Sequence, residues 1–129
     1  MSAEDVKTVQ NAYDSFGRGD IPAVLSNFAA DAEWVEPPGL PFSGTHRGHQ
    51  AVADNVFSTV PRDWDEFSVV PERFLDADDA VVVISRFRGQ AKGGGSLDVQ
   101  AAQVFELRDG KIIRMQHFAD TAAWQQALA

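Results

Sequence analysis

The chain has 129 residues, 44% hydrophobic and 23% charged, with a formal net charge of −8; such a chain is expected to form one domain, residues 1–129, with a real core. The acidic balance argues against nucleic acid and anionic membrane surfaces, which require clustered Lys and Arg. The absence of cysteine removes disulfides, thiolate nucleophiles and Cys-bound metal centres, and no apolar run reaches the roughly 18 residues of a membrane span.

The acidic opening, Met1 to Asp5, lacks the basic-then-apolar plan of a signal peptide, so a cytoplasmic location is expected. Ser2, with Asp5 three residues on, gives a capping-box-like start to a first helix. Val6, Val9, Tyr13 and Phe16 then follow at helical spacing until Gly17 and Gly19 end it. Asp20 caps a second short helix with Pro22 in its first turn. Residues 32–36 read as a short strand, ending in Trp34-Val35-Glu36-Pro37-Pro38-Gly39. There a single carboxylate sits beside a large aromatic and before a rigid turn. The stretch from Pro37 to Gly48 is expected as loop, and His49 to Thr59 as a third helix closed by Pro61.

After Trp64 the composition turns to Val, Ile and Phe. Residues 67–75, 80–91, 97–108 and 111–119 form four runs, separated by Asp76–Asp79, Lys92–Ser96 and Arg108-Asp109-Gly110. Together they predict an antiparallel meander. Gly93-Gly94-Gly95 lacks the Lys-Ser/Thr ending of a phosphate loop and reads as a hairpin tip. Thr121 opens a last short helix. Helices first and a meander last is an α+β plan.

Alternation along strands sorts the faces. Val99, Ala101, Gln103, Phe105 and Leu107 share the inner side of one strand; Val81, Val83, Ser85 and Phe87 that of another. Ile113, Met115, His117 and Ala119 share a side of the last, and Trp34 and Glu36 share a side of the first. Arg86 and Arg88 face outward. Glu36, Gln103 and His117 are therefore polar residues on apolar faces. They either satisfy each other in a core or face a ligand pocket.

Several segments occur in a recognisable order: Tyr13…Phe16-Gly17-Arg18-Gly19-Asp20, Ala30-Asp31-Ala32-Glu33-Trp34, Pro38-Gly39, Arg47-Gly48, Val81-Val82-Val83, Val104 to Ile112, and Asp120-Thr121-Ala122-Ala123. The pattern resembles SnoaL-like polyketide cyclases and ketosteroid-isomerase-related proteins of the nuclear-transport-factor-2-like superfamily. The resemblance spans nearly the whole chain. It implies a cone-shaped, cystatin-like α+β fold: three helices packed in a strongly curved, mostly antiparallel sheet, with a short C-terminal helix and a pocket at the open end. It also implies a homodimer through the outer sheet face.

By the same resemblance, Glu36-Pro37-Pro38-Gly39 matches the setting of the isomerases' catalytic Asp, with Glu one methylene longer. Gln103 stands where those enzymes keep a protonated Asp against the enolate oxygen; as a neutral donor it can form half of an oxyanion hole. Tyr13 lies about one position from their helix-one Tyr. Asp120 matches the acid–base Asp of the cyclases, although an Asp there can simply cap the final helix.

The resulting expectation is a cofactor-free isomerase or aldol-type cyclase acting on a small apolar carbonyl compound. Glu36 abstracts a proton alpha to the carbonyl, Gln103 donates to the enolate oxygen with Tyr13 or His117, and Asp120 is a further acid–base candidate. Tyr13, Trp34, Phe42, Trp64, Phe105 and Met115 would line the pocket. The alternative is a non-catalytic small-molecule-binding or assembly domain on the same fold. Epoxide hydrolysis ranks last, since it needs an Arg on the inner face. His46 and His49 with Glu36 match a two-His, one-carboxylate metal set by type, but they sit at a loop–helix junction without supporting partners, and no metal is expected.

Overall fold

The computed structural model describes residues 3–129, so the capping reading at Ser2 lies outside the described residues. Helix α1 runs Ala3–Gly17 and buries Val9 and Ala12. Helix α2, Ile21–Leu25, starts at Asp20, whose carboxylate accepts the Ala23 N–H at 3.1 Å. This satisfies one of the free donors of a first turn, with Pro22 where no donor is needed.

Strand β1 extends over Phe28–Glu36, longer than its apolar end suggested. The following segment is not all loop: Gly44–Arg47 form β2, paired antiparallel with β1. The expected third helix is broken into α3 (His49–Val52), a π-helical turn (Ala53–Phe57) and α4 (Thr59–Asp63). Pro61 does not close a helix but lies in the first turn of α4. A helix's first amides have no carbonyl to bond, so a missing N–H costs nothing there.

The meander comprises β3 (Trp64–Asp76), β4 (Val81–Ala91), β5 (Ser96–Arg108) and β6 (Lys111–Phe118), followed by helix α5 (Thr121–Leu128). Asp109 and Gly110 both have positive φ, at 53° and 79°, as a two-residue hairpin turn requires. Pro71 is tolerated because β3 is the sheet edge, and the register shifts between Pro71 and Arg73.

The sheet order is β2-β1-β6-β5-β4-β3, with every pair antiparallel except β1 and β6. The curled sheet and the short helices enclose the core, which is the α+β architecture expected. Val81, Val83, Ser85 and Phe87 are buried, as are Ala101, Gln103 and Phe105. Arg86 faces outward and meets Asp98 at 2.8 Å and Glu72 at 3.3 Å.

The alternation fails once. On β6 it is Ile112, fully buried, that faces inward, and not Ile113. The pairing with β5 jumps from Leu107↔Ile112 to Glu106↔Arg114, so Ile113 is an extra bulge residue that resets the parity. Among the described residues no helix is long and apolar enough to cross a membrane.

Candidate functional site

The curled sheet and the helices surround a cavity of about 80 Å³. Its wall is almost wholly aromatic and aliphatic. Tyr13 and Phe16 come from α1, Trp34 from β1, Phe57 from the π-helical turn, Phe105 from β5 and Trp124 from α5. The π turn carries Val56 and Phe57 to this wall, the kind of local helix defect often found beside functional sites. Apolar cavities of about 150 Å³ admit a benzene ring. This one holds a few waters or a compound of a few heavy atoms unless its walls move.

Three buried polar side chains of the strands reach the cavity: Glu36, Gln103 and His117. Glu36 ends β1, 5% exposed, and both its oxygens are engaged. Trp34 Nε1–H, two residues back on the same strand face, donates to Oε2 at 2.7 Å. His117 Nδ1 lies 2.8 Å from Oε1. A carboxylate only accepts, so this bond puts the imidazole proton on Nδ1. In the neutral ring the lone pair then falls on Nε2, which is buried without a hydrogen-bond partner among the described residues. The imidazole also stacks on Phe87, with ring centroids 4.8 Å apart and planes at 17°. Its orientation is thus fixed from the edge and from the face.

Gln103 pairs directly with His117 across β5 and β6. Tyr13 OH donates to its Oε1, and Ser85 Oγ lies 3.5 Å from the same oxygen. Its Nε2 meets only the Met115 sulfur, at 3.9 Å, a weak acceptor. The Gln103 amide N–H is therefore the least engaged donor of the inner strand faces. Burial pushes the Tyr13 phenol well above its ordinary value of 10.0, offset in part by the Ser85 hydroxyl. Tyr13 is a neutral donor throughout the physiological range.

The fold thus brings Tyr13, Trp34, Glu36, Phe42, Trp64, Gln103, Phe105 and His117 around one cavity. Two expected site residues stand elsewhere. Met115, fully buried, lies behind Gln103 and does not line the cavity. Asp120 caps α5, its carboxylate accepting the Ala123 N–H at 3.1 Å, and lies on an outer groove beside Phe118 and Ala119. The capping demand of the final helix fixes that carboxylate away from the cavity.

His46 and His49 do not converge on Glu36 as ligands. Their Nε2 atoms lie 2.8 Å from the Phe42 carbonyl and 2.9 Å from the Phe28 carbonyl. Several cavity residues, Phe57, Phe87 and Trp124 among them, were not named as site residues by the sequence reading. Trp124 is 1% exposed, and its indole nitrogen has no partner. The available signal was a lone Trp on the apolar side of the last helix, which reads as packing.

A SnoaL-like domain model matches residues 9–115 of the chain. An uncharacterised protein of Mycobacterium tuberculosis strain H37Rv is 29% identical over 121 residues, covering 92% of each chain. An NTF2-like protein of unknown function from Burkholderia pseudomallei K96243 superposes with a TM-score of 0.92 at 28% identity, over 100% of this chain and 99% of that one. The structure of TerC, co-crystallised with polyporic acid, superposes with a TM-score of 0.90 at 26% identity, over 98% of each chain.

Proposed function

The chain belongs to the SnoaL-like domain family, and from that premise we propose that it is a cofactor-free proton-transfer enzyme acting alpha to the carbonyl of a small, mostly apolar compound. In this reading His117 Nε2 takes the proton. Glu36 holds the imidazole in the tautomer that exposes that nitrogen and balances the imidazolium that forms. The Gln103 amide N–H is the donor to the developing enolate oxygen. Return of the proton to another carbon gives isomerisation; attack of the enolate on a second carbonyl gives cyclisation.

The observation that carries the reading is the chain of bonds from Trp34 through Glu36 to His117, ending on an unpartnered buried nitrogen of a residue that lines an apolar cavity. Most buried side-chain polar atoms are hydrogen-bonded; this nitrogen has no partner among the described residues, which costs about 1–3 kcal/mol if nothing else binds it. The cavity volume favours a small compound. TerC's polyporic acid supports ligand binding by a related chain and does not name the ligand here.

The test is deuterium exchange into the alpha positions of butanone and hydroxyacetone in heavy water, followed by NMR. Wild-type protein should accelerate exchange over buffer, and His117→Gln should lower that acceleration by about 10²–10⁴-fold. Saturable binding without exchange in either ketone would favour the second reading, a small-molecule-binding domain. Pairing of two chains through the outer sheet face belongs to the same proposal. It is supported by Val70 and Phe118, 47% and 51% exposed, and sedimentation velocity tests it.

A further inference from the structure

Among the described residues, two buried side-chain polar atoms have no hydrogen-bond partner: His117 Nε2 and Trp124 Nε1. Both residues line the same cavity. They are opposite in kind. With the ring neutral and Nδ1–H committed to Glu36, His117 Nε2 can only accept, whereas an indole N–H can only donate. Their ring centroids are 6.5 Å apart and their planes inclined at 77°. They do not bond each other.

Buried indoles ordinarily find a partner, and Trp124 is held where it cannot turn to seek one. Its ring packs edge-on against Phe42, Trp64 and Phe87, at centroid distances of 5.4, 5.7 and 5.9 Å. Its helix is pinned at the N-terminus by Asp120 and through Gln125 Nε2, which donates to the Gly39 carbonyl at 3.1 Å. A fixed donor and a fixed acceptor on opposing elements make a two-point template. The matching molecule offers an acceptor to the indole and an O–H to the imidazole, joined by a short carbon link.

We infer that the cavity selects α-hydroxy carbonyl compounds, with the Trp124 indole N–H holding the carbonyl oxygen and the ligand's hydroxyl donating to His117 Nε2. This rests on the proposed proton-transfer site and assigns its substrate class. The carbon bearing the hydroxyl is alpha to the carbonyl; while the O–H is bonded the single Nε2 lone pair is occupied, and rotation of the hydroxyl away from it frees that lone pair to take the adjacent C–H proton. Trp124 is then a specificity residue supplied by the C-terminal helix.

The test uses hydroxyacetone and butanone, which have the same number of heavy atoms and differ by hydroxyl against methyl. The chain has three tryptophans, so its indole N–H resonances are three, and Trp124→Phe assigns the relevant one. Titration with hydroxyacetone should move the Trp124 indole proton downfield and leave that of Trp34, already bonded to Glu36, nearly still. Hydroxyacetone should bind roughly tenfold more tightly than butanone in wild-type protein. Trp124→Phe, which keeps an aromatic ring in place, should weaken both ketones alike, since both offer the carbonyl, and the preference for hydroxyacetone should disappear in His117→Phe.

The inference is overturned if hydroxyacetone does not bind, if it binds without moving the Trp124 resonance, if butanone binds equally well, or if Trp124→Phe leaves both affinities unchanged. Alpha-carbon exchange without a Trp124 shift would leave the proton-transfer reading standing and remove this one. A Trp124 shift without exchange would do the reverse.

Discussion

Glu36 Oε1 and His117 Nδ1 lie 2.8 Å apart across 81 residues of chain, and Trp34 occupies the other Glu36 oxygen. The two donors leave a glutamine substitute one consistent arrangement. Trp34 cannot accept, so the new side-chain carbonyl must face the indole and the new amide N–H must face His117. In Glu36→Gln the imidazole is then forced into the opposite tautomer, with the proton on Nε2. We predict that Glu36→Gln folds with a loss of about 1 kcal/mol or less and suppresses alpha-proton exchange by about 10²–10⁴-fold. Imidazole nitrogen chemical shifts read the tautomer directly; an unprotonated Nε2 in this variant would contradict the assignment.

Tyr13 is the single tyrosine of the chain, so tyrosinate absorbance reports on it alone. Burial raises its pKa above 10.0, while the unfolded chain ionises near that value. Between the two values the unfolded state has released a proton that the folded state retains. Stability is therefore whole below about pH 10 and falls above it, by about 1.4 kcal/mol per pH unit while only the unfolded phenol is ionised. Tyr13→Phe should remove that component of the alkaline slope in denaturant titrations. Native protein showing full tyrosinate absorbance near pH 10 would refute the prediction.

Asp120 separates capping from catalysis. Asn caps nearly as well as Asp but cannot act as an acid or base. Asp120→Asn should keep both stability and proton exchange near wild type, whereas Asp120→Ala should lose about 0.5–2 kcal/mol. A large loss of exchange in a stable Asp120→Asn protein would return Asp120 to the chemistry.

Gly95 lies under the end of α5. A Cβ there would stand 2.1 Å from the Ala127 carbonyl oxygen and within 2.9 Å of its Cα. Backbone cannot swing aside, so Gly95→Ala should displace the helix, cost about 1–3 kcal/mol and shift the Trp124 indole resonance. Gly93→Ala, whose Cβ would find only the Ala129 oxygen at 3.9 Å, is the matched control and should leave that resonance in place. Equal spectra for both variants would show that α5 is not held by this contact.

Much of the site was legible because strand parity is a strict rule. It placed Trp34 with Glu36, and Gln103 and His117 among apolar neighbours; the pairing Gln103↔His117 depends on the bulge at Ile113. What parity cannot show is a bulge, and Ile113 is one. Nor can it show how a buried carboxylate divides its lone pairs. Glu36 read alone is a candidate base; in the fold both its oxygens are taken up by Trp34 and His117. The broken helix after His49 was hidden because Val52, Val56 and Phe57 suit a π turn as well as an α-helix. Trp124 was hidden because its one polar atom is outweighed by a large apolar ring, and only the shape of the cavity shows that this atom is left unbonded.

Strand β1 lies between β2, made soon after it, and β6, made near the end of the chain. A growing polypeptide therefore carries Glu36 on an open strand edge while the whole meander is still to be synthesised. Open apolar edges invite pairing with other chains. The parallel seam with β6 closes that edge and brings His117 to Glu36 in one event. A product that terminates before Lys111 has neither a cavity nor a protected β1, and it would be a substrate for chaperones and proteases rather than a partial enzyme.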